Sequence, residues 1–367
     1  MKKSVSIVLV FCLLICLFAG CGSTAPAEPA SPTEPASPAE PAAPSTLSFT
    51  DDCGRTVEIP AEIRSMVPTA PLGQTILFAI APDMMVGLAS KWDNACEGII
   101  PEEYWDLPYF GQLYVGGDLN IESLALVGPD IVIDIGEVKK STKDDLDALQ
   151  AQLGIPCVYI EASLETLPQT FEKLGQLLGR EEAGKVLSEY CTKVYDRAVD
   201  IMAQVGDDKA QAIYIPAYEG LSVLARDSYH AEMLDMLTDN AAVCEEPISK
   251  GTGNPVSMEQ IALWDPEYII FGTEESWQSL QTDPTWQELQ AIQAGNYALV
   301  PTSPDNWMGS PPGAQRYLGL MWLPAILYPE YCDYDLQAEV TEFYSLFFHC
   351  ELSAEQYASI TENAFIG

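Results

Sequence analysis

Several side chains in this sequence have the types and neighbours needed to hold a solute. Lys91 and Trp92 follow the short apolar run Met85–Ala89, a cation beside an aromatic platform. Tyr218 follows another such run, Ala212–Ile215. Arg226, Tyr229 and His230 precede a helical stretch around Met233–Leu237. A helix N-terminus beside Arg and His suits an anion. Trp307 and Arg316 bracket a Pro-rich loop ahead of the helical stretch Tyr317–Ile326. An indole supplies apolar area and a stacking face, and a guanidinium pairs with carboxylate, hydroxamate or oxyanion groups. Trp277 is a weaker member of the set, because Trp264 and Trp286 nearby read as core.

The chemistry on offer is recognition, not catalysis. There is no His-Glu-x-x-His, no Gly-x-Ser-x-Gly and no Walker loop. Carboxylates are so abundant that proximity of two of them identifies no acid/base pair. The expectation is a non-enzyme without a cofactor. His230 and His349 are the only histidines, too few for a His-rich metal site, and no C-x-x-C pair occurs. Seven cysteines lie beyond residue 21 (Cys53, Cys96, Cys157, Cys191, Cys244, Cys332 and Cys350) and read as buried thiols, with room for one or two disulfides in an exported protein. Against 54 acidic side chains stand 17 basic ones, for a formal charge of −37. That balance excludes nucleic acid and electrostatic docking on anionic lipid.

The first 20 residues read as a leader. Lys2 and Lys3 precede an apolar run, Val5 to Phe18, short for a membrane span. Leu17-Phe18-Ala19-Gly20-Cys21 is similar to a bacterial lipobox, with Phe18 where Leu is usual, so Cys21 is the expected lipidation site. Prolines then recur at every third residue from Pro26 to Pro44. Such a spacing lines one edge of a polyproline II rod. Residues 21–46 are therefore the lipidated cysteine and a stalk, long enough to hold a domain up to roughly 75 Å from the membrane.

From residue 47 the pattern is α/β. A hairpin is expected over 47–60 around Asp52-Cys53-Gly54. Apolar strands at Ser65–Pro68, Met85–Ala89, Ile131–Ile135 and Val158–Ile160 alternate with helices from Gln74 and Lys143, which implies crossovers and mainly parallel sheets. Glu181 to Val205 has helical apolar spacing and no Pro. At about 37 Å it is long enough to join two lobes. The α/β pattern restarts after it, giving lobes at 47–180 and 206–367 with residues 181–205 as linker. A repeat supports duplication: Asn-Ile-Glu-Ser-Leu-Ala-Leu-Val-Gly-Pro-Asp-Ile-Val-Ile (from Asn120) matches Ser-Met-Glu-Gln-Ile-Ala-Leu-Trp-Asp-Pro-Glu-Tyr-Ile-Ile (from Ser257). Ligands of parallel sheets bind beyond the strand carboxyl ends, so a cleft is expected between the lobes.

The lipobox, the spacer, the opening at 52–60 with Asp52 and ending Gly54-Arg55-Thr56-Val57-Glu58-Ile59-Pro60, and the repeat together resemble the substrate-binding lipoproteins of bacterial ABC importers for ferric siderophores, haem and cobalamin. The ending, with Trp307, Arg316 to Leu320, Trp322 and Phe343-Tyr344, is similar to a branch that includes molybdate/tungstate binders. The resemblance implies a lipid-anchored monomer on the outer face of the cytoplasmic membrane. It would pass an iron complex or corrinoid, alternatively an oxyanion, to a permease with its ATPase. An extracellular enzyme on the same scaffold is the reading from another class. It also implies that Tyr218 faces the ligand, and that Glu122 and Glu259, equivalent in the repeat, contact the permease.

Overall fold

The computed structural model describes residues 45–114, 117–216, 221–248, 250–309 and 311–366. The leader, Cys21, the stalk as far as residue 44, and Tyr218 lie outside the described residues.

Strands β1 (Thr46–Thr50) and β2 (Thr56–Pro60) form the expected antiparallel hairpin, with β1 starting inside the segment assigned to the stalk. The carboxylate that holds the hairpin turn is that of Asp51. The Asp51 carboxylate accepts from Arg55 N at 2.8 Å and pairs with Arg55 Nη1 at 3.1 Å. Asp52 instead ties the turn to the rim of the sheet, its backbone N–H donating to Tyr159 O at 3.1 Å and its carboxylate accepting from Glu161 N at 2.9 Å. The hairpin thus covers what would be an open strand edge.

The first lobe holds a parallel sheet in the order β3-β4-β5: β3 (Met66–Pro68), β4 (Ile131–Gly136) and β5 (Cys157–Glu161). Helices α1 (Pro71–Ile80), α2 (Ile121–Val127), α3 (Thr142–Leu153) and α4 (Leu167–Leu178) connect and cover it. Met85–Ala89 is not a strand. Met85 alone bridges Met66, and the chain then turns to a different partner, Leu88 N donating to Pro108 O at 2.8 Å and Phe110 N to Leu88 O at 2.9 Å.

Helix α5 (Glu181–Val205) has the bounds its apolar spacing requires. The second lobe follows with β6 (Gln211–Ile215), β7 (Ser222–Val223), α6 (Glu232–Leu237), β8 (Asp239–Asn240), β9 (Asn254–Pro255), α7 (Met258–Trp264), β10 (Tyr268–Phe271), α8 (Glu274–Thr282), α9 (Gln290–Ala294) and β11 (Tyr297–Leu299). Its main sheet is wholly parallel, in the order β11-β10-β6-β8, while β7 and β9 make a small antiparallel pair. The repeat is structural. Asn120 caps α2 by accepting from Ser123 N, and Ser257 caps α7 by accepting from Gln260 N. Both helices end in the left-handed region, at Gly128 (φ 61°) and Asp265 (φ 45°), and a Pro turn leads each into a buried strand, β4 or β10.

Helices α10 (Arg316–Leu327), α11 (Leu336–Phe347) and α12 (Ala354–Ile360) complete the chain. They do not keep to the second lobe. Phe347 packs edge-on against Phe171 of α4 (5.7 Å between centroids) and Tyr190 of α5 (5.5 Å), and His349 Nε2 lies 3.2 Å from Phe78 O of α1. The lobes are therefore joined by a shared apolar core as well as by α5. All seven cysteines from Cys53 onward are free thiols. Among the described residues no helix is long and apolar enough to cross a membrane.

Candidate solute-binding site

The segment that follows the first sheet meets the second lobe. Beyond β5 the chain runs through Ala162, Ser163 and Leu164, and four bonds from the second lobe land there. Tyr229 OH donates to Ala162 O at 3.2 Å, and Tyr317 OH donates to Leu164 O at 2.7 Å. Leu164 N–H is shared by both oxygens of Glu232 at 3.2 Å. Glu232 also accepts Arg316 Nη1 at 2.7 Å, and the Arg316 guanidinium lies 5.8 Å from the centre of the Tyr229 ring. Arg316, at the first turn of α10, is only 3% exposed. The 305–309 loop closes tightly on it: Gly309 has φ 96°, and a Cβ there would stand 2.7 Å from Arg316 Cδ. Only glycine meets both demands.

His230 packs edge-on to Tyr229 at 5.6 Å. Burial first, and the Arg316 charge second, hold its pKa below the usual imidazole value, so it is neutral at neutral pH. Its Nδ1 and the Nε of Arg316 are buried and have no hydrogen-bond partner. Unsatisfied buried polar atoms are uncommon, and two in one cluster mark a place where a ligand can supply the missing bonds.

Tyr229, His230 and Arg316 are thus brought together. Arg226 is not one of this group: it pairs with Asp239 at 2.5 Å and donates through Nε to Asn240 O at 2.8 Å. The N-terminal turn of α6 carries its own acids, Glu232 and Asp235, which oppose the anion site expected there. Trp307 is not on a rim. It is fully buried, and the carbonyl of its own backbone packs against Gly319 of α10. Trp92 is half-buried, its indole N–H donating to Tyr104 O at 3.2 Å and its ring set against Phe78 at 5.5 Å. Lys91 is exposed, with Nζ 5.7 Å from the centre of the Tyr109 ring. Trp286 is core, whereas Trp277 and Trp264 are half-buried, Trp277 against Phe271 and Tyr297.

Residues 112–303, more than half of the chain, match the family model described as periplasmic binding protein. The chain belongs to that family.

Solved structures agree on the architecture of this binding protein. The ABC transporter solute-binding protein from Sulfurospirillum deleyianum superposes with a TM-score of 0.79 at 26% identity, over 86% of this chain and 99% of its own. A periplasmic solute-binding protein from Veillonella parvula gives 0.72 at 22% identity, over 86% and 97%. The molybdate periplasmic binding protein of Haemophilus influenzae gives 0.68 at 20% identity, over 84% and 99%. No curated protein sequence matches the chain.

The binding protein also has site features that sequence reasoning missed. Glu232 is the partner that neutralises Arg316, and nothing in its local sequence distinguishes it from other first-turn carboxylates. A cavity of about 420 Å³ opens where the 94–99 loop meets the carboxyl ends of β10 and β11, lined by Asn94, Glu97, Glu274, Thr302, Ser303 and Glu362 among others. It has carboxylates and neutral donors but no base. Next to it in sequence, Asp305 encloses Oδ2 without a partner, and burial, reinforced by the Asp93 charge, raises its pKa to about 7. In the first lobe Asp134 is buried within β4, accepting from Thr69 Oγ1 and, at 3.2 Å, from Tyr114 OH. Glu122 and Glu259 are exposed at equivalent positions on α2 and α7.

Proposed function

We propose that this protein is the solute receptor of an ABC importer that captures a metal complex, an iron–siderophore, haem or corrinoid, and hands it to the permease. The carrying observation is electrostatic. The two arginines of the expected site are already neutralised, Arg316 by Glu232 and Arg226 by Asp239. The cavity at the carboxyl ends of β10 and β11 is lined by carboxylates and neutral donors. A bare oxyanion entering a chain of net charge −37 would have to displace Glu232 and overcome the long-range field. A metal complex wrapped in an organic chelator spreads its charge over a larger volume and brings apolar area of its own, so it meets both obstacles less strongly.

The oxyanion reading keeps one specific support, the unpartnered Arg316 Nε beside His230. Native mass spectrometry with elemental analysis of the protein purified from its own cells separates the two. Iron or cobalt in stoichiometric amount, bound through an organic chelator, is the expected result. Molybdenum or tungsten without a chelator would replace the first reading by the second, and recovery of a chemically altered solute would point to an enzyme. Glu122 and Glu259 are assigned to permease contact and Cys21 to the lipid anchor on the outer face of the membrane. The Cys21→Ser protein should leave the membrane fraction or remain unprocessed.

A further inference from the structure

Among the described residues, the two most exposed large apolar side chains are Leu126 and Leu263, at 88% and 79% exposure. A single exposed leucine needs no explanation. These two occupy equivalent positions in the duplicated helices α2 and α7, and the whole pattern around them is shared. In α2, Leu124 is the one fully buried residue, while Glu122, Ala125 and Leu126 are exposed. In α7, Ile261 is the one fully buried residue, while Glu259, Ala262 and Leu263 are exposed. Spacings of three and four residues put Glu, Ala and Leu on one helix face, so each lobe shows a carboxylate one turn before a bare leucine, with a small residue between.

We propose that Leu126 and Leu263 are a matched pair of apolar docking knobs for the membrane-spanning subunits of the importer, each seating in a socket whose rim carries a cation for the adjacent glutamate. The inference rests on the permease reading given above. The occupant is argued from duplication and charge. Two like patches on one chain fit a partner that presents the same socket twice, as two copies of a subunit do. The carboxylate beside each knob, on a chain of net charge −37, opposes both a second copy of this protein and an anionic lipid surface. The division of labour follows: exposed ion pairs add little affinity but set orientation and encounter, whereas burying two leucines supplies the affinity.

The test uses the full chain in its native cells, with a photo-crosslinking amino acid placed singly at 122, 126, 259 or 263. Adducts from 126 and 263 should contain the same polytopic membrane protein. In the Leu126→Ser/Leu263→Ser background, adducts from 122 and 259 should fall roughly ten-fold or more, the scale set by apolar burial, with the thermal midpoint of the purified protein and its metal content unchanged. Strong adducts from 122 and 259 that the double serine variant leaves intact would overturn the knobs and keep the permease reading. Adducts at none of the four positions would overturn both. Adducts with a second copy of this chain, or with lipid alone, would reassign the patches.

Discussion

Arg316 and Trp307 bracket a loop in the sequence, but they carry different loads. Trp307 is fully enclosed, so Trp307→Ala should cost about 3–5 kcal/mol, the usual range for a large buried aromatic. It is therefore a poor probe of binding. His230→Gln is the better one, since the ring is half-buried and its Nδ1 makes no bond in the protein. Calorimetric titration with the purified solute complex should show weaker binding for that variant at a nearly unchanged thermal midpoint. Asp305 gives a pH signature. With its pKa raised to about 7, the folded protein holds a proton there that the unfolded chain releases above about pH 4. Stability from this group is present at low pH and is lost as pH rises through 7. Between pH 8 and pH 5 the wild-type midpoint should therefore rise relative to that of Asp305→Asn. Parallel pH curves for the two proteins would show that the carboxyl is not buried as described.

At the scale of elements, α4 and α5 approach closely because two glycines face each other. A Cβ at Gly184 would stand 2.5 Å from Phe171 O and 3.0 Å from Gly175 Cα, contacts that only a shift of one helix could relieve. Gly184 sits within α5, where an alanine would otherwise favour helix. Gly184→Ala sets that gain against steric overlap, and overlap should win, by about 1–3 kcal/mol. Urea denaturation monitored by circular dichroism measures the difference, and a more stable variant would mean that the helices adjust freely. The hairpin is a second case of one element serving another. Arg55 reaches Asp147 of α3 at 2.8 Å and Cys157 O of β5 at 3.0 Å, so the motif at the start of the domain acts as a clamp on the first lobe.

For the whole molecule, the lobes share side chains and not only a linker. Phe343 and Phe347 of α11 stack at 4.1 Å, and both pack against Tyr190 of α5. One apolar cluster includes Ile133 and Val158 of the first sheet and Tyr214 and Ile270 of the second. Breaking one lobe exposes the side of the other. Calorimetry should accordingly give one cooperative transition whose van't Hoff and calorimetric enthalpies agree. Two resolved transitions would show that the shared core does not couple the lobes.

The local features of this protein were written in its sequence. The bounds of α5, the caps of α2 and α7, the Pro turns and the buried strands after them all follow from apolar period, capping residues and turn formers acting over a few positions. The shared helix–turn–strand unit followed from the repeat. What the tertiary structure decided were the long-range partners. Arg316 meets Glu232 across 84 positions, and Arg55 pairs with Asp51, which is buried beside it, whereas Asp52 faces outward to Glu161 N and Lys173. Trp307 is core and Arg226 is paired to β8, while α11 returns to the first lobe. An aromatic or a cation after a strand has the same local sequence whether it faces solvent, solute or core. Its environment is set by elements that are distant in the chain, and their packing fixes its role.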